Sequence, residues 1–431
     1  MLIPPAPPAH IAYAAPTPLD HIVVILQEGR SLNNLFADCA PSGVQNLTKT
    51  GKDHTGGNVS VVAGSLVALG NPQHTYTQQL VADDCTGSPP TCAMDGFDLL
   101  TLTGGTGNTA YSYIPASQVN ASPNGYCTLA HTYSTSDATF APAKTSVWPS
   151  FLYAIAGQSG GYLGSSYDAF TNNHLGDLTN VGCYATGGTT VGYVPMTSPF
   201  PGTEVNGNYP CLAISTIFSS LDSAGVPWKY YCNLKTNRAC APAAISSIYN
   251  GSEYTNNVIT PETQALSDCN TSNQPAVMFI TPNDTTVAGQ DDSDDAFEQG
   301  SPSCSGGCPG PNWVSSIINA CGPNTKYWGS EVIILTWVNA GNWYDNQPPP
   351  FAVNPNGPTP NPLEYGQRIP YIVISPFAKP AYVDHTPRTL LTTLRLIESM
   401  FPQITPVGAL EQYEPDNGLS FFDWSRNRNW F

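Results

Sequence analysis

Four short runs of consecutive apolar residues constrain the fold of this chain more than any other feature. Each run is rich in valine or isoleucine and shows no alternation of apolar and polar positions; the runs are 21–26, 276–280, 331–337 and 369–375. Strands that are buried on both faces have this pattern, and they are typical of parallel sheets. Helical patterns alternate with the runs, at 216–224, 313–320 and 389–401. The sequence therefore predicts an α/β fold with a mainly parallel central sheet and helices on both faces.

Two stretches interrupt this alternation. Residues 41–126 and 160–210 are rich in Gly, Thr, Ser and Asn and contain only short β-like pieces. We interpret them as loop-rich, β-containing insertions that disulfides hold in place. Residues 1–18 form a Pro-rich arm, and residues 19–431 form one α/β domain that carries both insertions. A Pro-rich terminus is usually mobile unless something ties it down, so we expect the arm to pack on its own domain or on a neighbouring subunit.

Basic residues are scarce. The chain has 14 Lys and Arg against 31 Asp and Glu, a formal net charge of −17, and only 10% of its 431 residues are charged. Binding to nucleic acid or to an anionic membrane surface depends on clustered basic side chains, so we expect neither partner. No apolar run approaches the ~20 residues of a membrane-spanning helix, and we expect no membrane span.

The twelve cysteines are an even number, and they lack the paired Cys-x2-Cys spacing of a zinc site. Disulfides formed in an oxidising compartment account for them better. Three pairs lie close in sequence: Cys85 and Cys92, Cys232 and Cys240, and Cys304 and Cys308. The spacing alone leaves the connectivity open.

Six Asn-x-Ser/Thr sequons also fit a secreted chain, although a sequence rich in Asn, Ser and Thr produces such motifs by chance. They begin at Asn46, Asn58, Asn120, Asn250, Asn270 and Asn283. The first residues do not show the basic and then apolar pattern of a signal peptide. Together with the cysteines, the sequons predict an extracellular, secreted protein.

Five segments carry a more specific pattern. They are Pro18–Phe36, Trp148–Tyr153, Leu221–Tyr231, Ile334–Asp345 and Tyr365–Pro376. The first contains Gln-Glu-Gly-Arg-Ser directly after a strand, and the fourth contains Thr-Trp-Val-Asn-Ala-Gly-Asn-Trp-Tyr-Asp before three prolines. In these motifs and in their order, the chain resembles bacterial phosphoesterases of the phospholipase C and acid phosphatase type, a family with an alkaline-phosphatase-like fold.

The resemblance implies a particular chemistry. Enzymes of this family attack phosphate with a Ser or Thr nucleophile that is held against a divalent metal, which lowers the pKa of the nucleophile. The oxygen ligands of the metal come from a Glu-Asn pair after the first strand and from an acidic pair after the Thr-Trp strand. A divalent metal is therefore the cofactor that we expect only if the protein is active.

Most of these positions are altered in this chain. Glu28 is kept, but Gly29 replaces the Asn that should follow it, and Val338 and Asn339 replace the acidic pair. Val147 aligns with the nucleophile. Glycine and valine have no ligating group, and an amide oxygen is a much weaker metal ligand than a carboxylate. We therefore expect no catalytic residue, no metal site and no cofactor.

Three residual catalytic candidates remain, Ser146, Asp345 and His385. Ser146 precedes the nucleophile position on what we predict to be a strand, so its side chain should point to the other face. His385 lies before the last helical pattern, and we favour a local role in which Asp384 or Thr386 caps that helix.

The acidic run 290–298 is the strongest metal candidate besides Glu28. Its four aspartates are Asp291, Asp292, Asp294 and Asp295. Clustered carboxylates suit hard cations such as Ca²⁺, but the run lacks the spacing of an EF-hand loop. We favour a solvated acidic loop.

Three functions remain open. We favour a catalytically inactive, phosphoesterase-like secreted protein with a structural or self-assembly role, such as a filament or surface-layer subunit whose arm contacts a neighbouring subunit. The second is an active, metal-dependent phosphoesterase with a displaced site built from Glu28, Asp345 and the acids at 291–295. The third is a glycan- or surface-binding module that uses the insertions.

Overall fold

The computed structural model describes most of the chain, with gaps in both insertions and around the acidic run. The described residues are 17–66, 71–73, 75–87, 90–103, 109–120, 123–160, 167–172, 182–195, 203, 205–271, 274–282, 308–350, 365–414 and 416–426. Arm residues 1–16 and the acids Asp291, Asp292, Asp294 and Asp295 lie outside these ranges. The expectations about them therefore remain predictions.

An eight-stranded sheet forms the centre of the fold. Its strands, numbered in chain order, are β1 (His21–Gln27), β2 (Ser134–Ser136), β3 (Trp228–Tyr231), β4 (Val258–Ile259), β5 (Val277–Ile280), β6 (Glu331–Trp337), β7 (Tyr371–Ile374) and β8 (Val383–Asp384). Their order in space is β4-β3-β5-β1-β6-β7-β2-β8. All neighbours are parallel except at β7, which runs antiparallel to β6 and β2. The predicted mainly parallel sheet is confirmed.

Helices alternate with the strands, as the sequence predicts. Those in the described ranges are α1 (Leu32–Phe36), α2 (Tyr76–Asp83), α3 (Ala116–Val119), α4 (Tyr126–Thr132), α5 (Val147–Ala156), α6 (Ile217–Ser223), α7 (Ser246–Tyr249), α8 (Glu253–Asn256), α9 (Gln264–Cys269), α10 (Pro309–Cys321) and α11 (Thr392–Met400). Further strands pair outside the central sheet, mostly in the insertions; they are Thr50–Lys52, Asn58–Ser60, Val62–Ala63, Asn71–Pro72, Cys85–Gly87, Pro90–Cys92, Leu102–Thr103, Ser112–Tyr113, Thr139–Phe140, Tyr167–Asn172, Val191–Pro195, Val205–Asn208 and Arg388–Thr389.

Two helix boundaries differ from the prediction. The helix expected at 389–401 is shorter, because Arg388–Thr389 pairs as a strand with Thr139–Phe140 before α11 begins. The helix expected at 313–320 is longer and begins at Pro309. Proline is tolerated in the first turn of a helix, whose N–H groups have no partner within the helix.

Both faces of the sheet are covered. All seven residues of β6 and six of the seven in β1 are buried. Because neighbouring side chains in a strand point to opposite faces, burial at consecutive positions requires packing on both sides. One continuous apolar cluster joins these strands to α5, α10 and α11. The carboxyl edge of the sheet is then the place where side chains can meet a ligand.

The first insertion has a small apolar core of its own, which includes Met94, Phe97 and Tyr111. Tyr344, which follows β6, belongs to the same cluster and packs edge-on against Phe97 with ring centroids 5.1 Å apart. This contact anchors the insertion on the carboxyl edge of the central sheet.

Five disulfides lie within the described ranges: Cys39–Cys127, Cys85–Cys92, Cys183–Cys211, Cys232–Cys240 and Cys269–Cys321. Two of them join close pairs that the sequence analysis singled out. Cys308 is also disulfide-bonded, whereas Cys304 lies outside the described residues. The Cys39–Cys127 bridge joins the two ends of the first insertion, as expected of a segment that a disulfide holds in place.

Two further predictions concern the sequons and a membrane span. Five sequon asparagines are exposed, namely Asn46, Asn58, Asn120, Asn250 and Asn270. Asn283 lies outside the described residues, and glycosylation remains a prediction at all six positions. Among the helices of the described ranges, none has the length and apolar character needed to cross a membrane.

Glu331 is a buried carboxyl group at the start of β6. Gln274 donates a hydrogen bond to its Oε1 atom, and its Oε2 atom has no hydrogen-bond partner among the described residues. Burial raises the pKa of Glu331 from 4.5 to about 8; the Gln274 contact opposes this shift and the charge of Asp20 adds to it. The folded protein therefore keeps a proton that the unfolded chain loses near pH 4.5.

The stability that depends on this proton is fully present below pH 4.5 and is lost as the pH rises through about 8. One pKa unit corresponds to about 1.4 kcal/mol. Glu331→Gln stays neutral, so we expect it to raise the melting temperature at pH 8 and to leave it unchanged near pH 4.5. Thermal unfolding across this pH range is the measurement. Glu253→Gln in α8 is the control, and a Glu331→Gln curve that runs parallel to the control would contradict the expectation.

Candidate functional site

Glu28, Val338 and Asn339 lie side by side at the carboxyl edge of the sheet. β1 and β6 are parallel neighbours in which Gln27 lies opposite Trp337. The backbone N–H of Val338 donates to the carbonyl oxygen of Gln27 at 2.8 Å. The fold therefore brings together the two segments from which the resemblance implies metal ligands.

Asn339 uses its side chain to hold the backbone. Its Oδ1 atom accepts the N–H of Gly29 at 3.0 Å and the N–H of Gly341 at 3.2 Å. Both glycines have positive φ, and a Cβ atom on Gly341 would lie 2.4 Å from the carbonyl oxygen of Gly29. The two turns after β1 and β6 are thus in close contact, and the amide oxygen joins them.

Ser146 and Val147 lie at the start of a helix, so the prediction of a strand at this position is wrong. Ser146 is the N-cap residue of α5 and Val147 is its first residue. The apolar run from Val147 to Ala156 is buried throughout, and an all-buried helix cannot be told from a buried strand by periodicity alone. The Ser146 hydroxyl is buried and has no hydrogen-bond partner among the described residues.

Glu28, the one position that is kept, is 1% exposed. It lies near Tyr230 on β3: burial raises the pKa of Tyr230, and the charge of Glu28 adds to that shift. Within the part of the chain that the structure describes, no three His, Cys, Asp or Glu side chains come together as a metal site. The described surroundings of Glu28 do not fit the carboxylate-rich site that a hard divalent metal prefers.

Asp345 is fully buried and paired with Arg368. The Nε atom of Arg368 donates to Oδ1 at 2.9 Å, and the N–H of Gln347 donates to the same oxygen at 2.9 Å. Oδ2 accepts the N–H of Asn33 at 3.2 Å. Burial raises the pKa of Asp345, while the Arg368 charge opposes the shift. Both carboxylate oxygens are therefore engaged in holding neighbouring segments.

The surroundings of His385 differ from the expectation. Asp384 does not cap α11, because the strand at 388–389 precedes the helix, which begins only at Thr392. Asp384 instead forms an ion pair with Arg388. The Nδ1 atom of His385 is hydrogen-bonded to the Asp137 carboxylate at 2.9 Å, and the His385 side chain is 47% exposed. His385 is thus oriented by a buried acid and reaches the surface.

The first insertion covers the edge next to Ser146. From α2, the Nε2 atom of Gln79 donates to the carbonyl oxygen of Thr145 at 2.7 Å. Asp83, at the end of α2, forms a fully buried ion pair with Lys144. The segment that leads into α5 is therefore fastened to the first insertion.

Sequence reasoning missed four buried charged residues that organise this edge: Asp83, Asp137, Lys144 and Arg368. The scarcity of Lys and Arg was a usable signal, because a buried charge requires a fixed partner. The partners themselves were not predictable. Lys144 and Asp83 are 61 residues apart in sequence, and no motif connects them.

Asn339→Ala tests the role of the amide oxygen. The change leaves two buried N–H groups without an acceptor, and each such loss destabilises by roughly 1–3 kcal/mol. We expect the free energy of unfolding in urea to fall by at least about 2 kcal/mol. The exposed Asn256→Ala in α8 is the matched control and should change it little. Equal losses in the two variants would show that the Asn339 contacts contribute nothing specific.

Comparisons with known proteins agree with the order of the motifs. The sequence profile of the Phosphoesterase family matches residues 19–402. Similar solved structures include a protein in the alkaline phosphatase superfamily from Vibrio parahaemolyticus, with a TM-score of 0.41 and 7% identity over 92% of this chain and 71% of that one. Ps i-CgsB, solved with k-i-k-neocarrahexaose, has a TM-score of 0.41 and 10% identity over 93% and 75%. No curated protein matches. Because the profile spans most of the sequence, the chain belongs to the Phosphoesterase family.

Proposed function

We propose that this chain is a non-catalytic, extracellular member of the Phosphoesterase family with a structural, self-associating role. One observation above all supports the proposed loss of catalysis. The Asn339 amide oxygen accepts hydrogen bonds from two backbone N–H groups at a position where the resemblance implies a metal ligand. Through these two hydrogen bonds, the oxygen holds together the turns that follow β1 and β6.

The neighbouring positions support the same proposal. Val338 is fully buried and has no polar atom in its side chain. Gly29 adopts a φ of 74° and offers only its backbone. Ser146 begins a buried helix next to a segment that the first insertion covers. None of these positions supplies a group that could activate a nucleophile or neutralise a phosphoryl oxygen.

An active enzyme with a displaced site is the main alternative. It would need Asp345, whose carboxylate oxygens are engaged by Arg368 and by backbone N–H groups. It would also need the acids at 291–295, which lie outside the described residues. A direct measurement of hydrolysis therefore has to separate the two proposals.

The proposed self-association rests on the composition. Only 10% of the residues are charged, and low charge removes much of the repulsion between like surfaces, although a net charge of −17 still opposes contact. The disulfides fit an oxidising, extracellular compartment. We propose that the arm, 1–18, contacts a neighbouring subunit.

The test of catalysis uses p-nitrophenyl phosphate and bis-p-nitrophenyl phosphate with added Mg²⁺, Ca²⁺, Mn²⁺ or Zn²⁺. We expect no hydrolysis above that of Glu28→Gln, the variant that lacks the one kept carboxylate. We also expect EDTA and each metal to leave the melting temperature unchanged, since a bound metal would stabilise the folded state. Metal-dependent turnover that disappears in Glu28→Gln would overturn the proposal.

The test of self-association is sedimentation velocity over about a hundredfold range of protein concentration, because association depends on mass action. We expect the sedimentation coefficient to rise with concentration, and to rise less for a chain that lacks residues 1–16. A chain in which these sixteen residues are present in scrambled order is the matched control for length and composition. A single monomeric species throughout would contradict self-association.

A further inference from the structure

A cavity of about 260 Å³ opens at the carboxyl edge of the sheet, at the end formed by β2 and β8. Its polar lining includes Gln45, Asp137, Gln347 and His385, and its apolar lining consists of three prolines, a phenylalanine and an alanine. Asp137 directly follows β2 and His385 directly follows β8, and these strands are parallel neighbours. The carboxyl ends of strands in α/β sheets are the usual position of binding sites.

A buried acid fixes the orientation of the His385 ring. Asp137 is 4% exposed; one of its oxygens accepts the N–H of Gln45 at 2.7 Å, and its carboxylate is hydrogen-bonded to Nδ1 of His385 at 2.9 Å. Because an ionised carboxylate only accepts hydrogen bonds, the Nδ1 atom of His385 is the donor in this contact. In the tautomer that carries its proton on Nδ1, the Nε2 atom has a lone pair that can accept a hydrogen bond from a hydroxyl group.

Arg368 lines the same cavity but offers no donor to an anion. Its five N–H groups are directed at five oxygen atoms within the protein: Asp345 Oδ1, Asn346 Oδ1 and the carbonyl oxygens of Gln45, Asn46 and Asp137. Asp345 balances the charge of the guanidinium. The carboxylate of Asp137 adds a negative charge to the wall. A phosphate or sulfate group would therefore find no free donor on this arginine and a carboxylate nearby.

We propose that this cavity binds a neutral, polyhydroxylated ligand, a hexopyranose residue. One sugar hydroxyl donates to Nε2 of His385, and other hydroxyls exchange hydrogen bonds with the side-chain amides of Gln45 and Gln347. The C–H face of the ring packs against Pro348 and Pro387. A cavity slightly below the ~300 Å³ typical of drug-sized ligands suits a single ring. This site is separate from the proposed self-association.

The cavity also includes Asn46, which is a sequon asparagine. A glycan on Asn46 would stand at the rim and compete with a bound sugar. Protein for the binding experiment is therefore produced without N-glycosylation, so that the free cavity is measured.

Saturation-transfer difference NMR on the full chain tests the proposal with methyl glucopyranoside, methyl galactopyranoside and methyl mannopyranoside as probes. We expect transfer to at least one of them. In His385→Ala the dissociation constant should rise about tenfold, which equals about 1.4 kcal/mol, the size of one hydrogen bond. His54→Ala is the matched control, because His54 is also hydrogen-bonded to an aspartate, Asp98, and is 46% exposed. It should bind like wild type.

Thermal unfolding establishes whether each variant is folded. If His385→Ala is unfolded, Gln347→Ala, whose side chain also lines the cavity, decides the question by the same criterion. Absence of transfer to all three sugars would overturn the proposal, as would equal binding by wild type and the cavity variant. Binding of inorganic phosphate that is lost in the cavity variant would identify an anion site and overturn it as well.

Discussion

The carboxyl edge of the sheet depends on the hydrogen bonds that the buried guanidinium group of Arg368 donates. Arg368 lies just before β7 and holds Asp345 after β6, the backbone of Gln45 and Asn46 in the first insertion, and the backbone of Asp137 after β2. Burying a charge is unfavourable unless it is paired and hydrogen-bonded, and here all five donors have acceptors. Removal of one partner from a buried ion pair typically destabilises a protein by about 3–5 kcal/mol. One side chain thus fixes the positions of three other segments relative to its own.

The carboxyl edge is closely packed at β1 and β6, whereas it has a cavity at β2 and β8. At β1 and β6, Asn339 and the adjacent glycine turns draw the backbone together, and the first insertion is fastened beside α5 by the buried pair of Lys144 and Asp83. At β2 and β8, the residues that the structure describes leave a cavity beside His385. Arg368 lines that cavity, but its N–H groups already donate hydrogen bonds within the protein. It therefore shapes the cavity wall and holds it in place.

The sequence predicted the fold because buried strands and helices leave local patterns. The run from Glu331 to Trp337 identifies β6 whatever surrounds it. Ser146 was placed on a strand, because a fully apolar run carries no periodicity from which a helix can be recognised. The contacts that close or open the edge join residues far apart, such as Asn339 with Gly29 or His385 with Asp137. These contacts depend on which strands become neighbours in the sheet, and no local sequence pattern shows that.

The altered positions at this edge depend on one another. Two carboxylates at 338 and 339 beside Glu28 would repel one another in a buried place unless a metal neutralised them. Valine and the amide of Asn339 remove that repulsion, and the amide oxygen instead satisfies two buried N–H groups. A carboxylate returned at Val338 alone would be buried beside Glu28, and the two like charges would repel one another. Val338 and Asn339 together therefore avoid repulsion between buried carboxylates, and a return to an acidic residue at one of these positions would restore it.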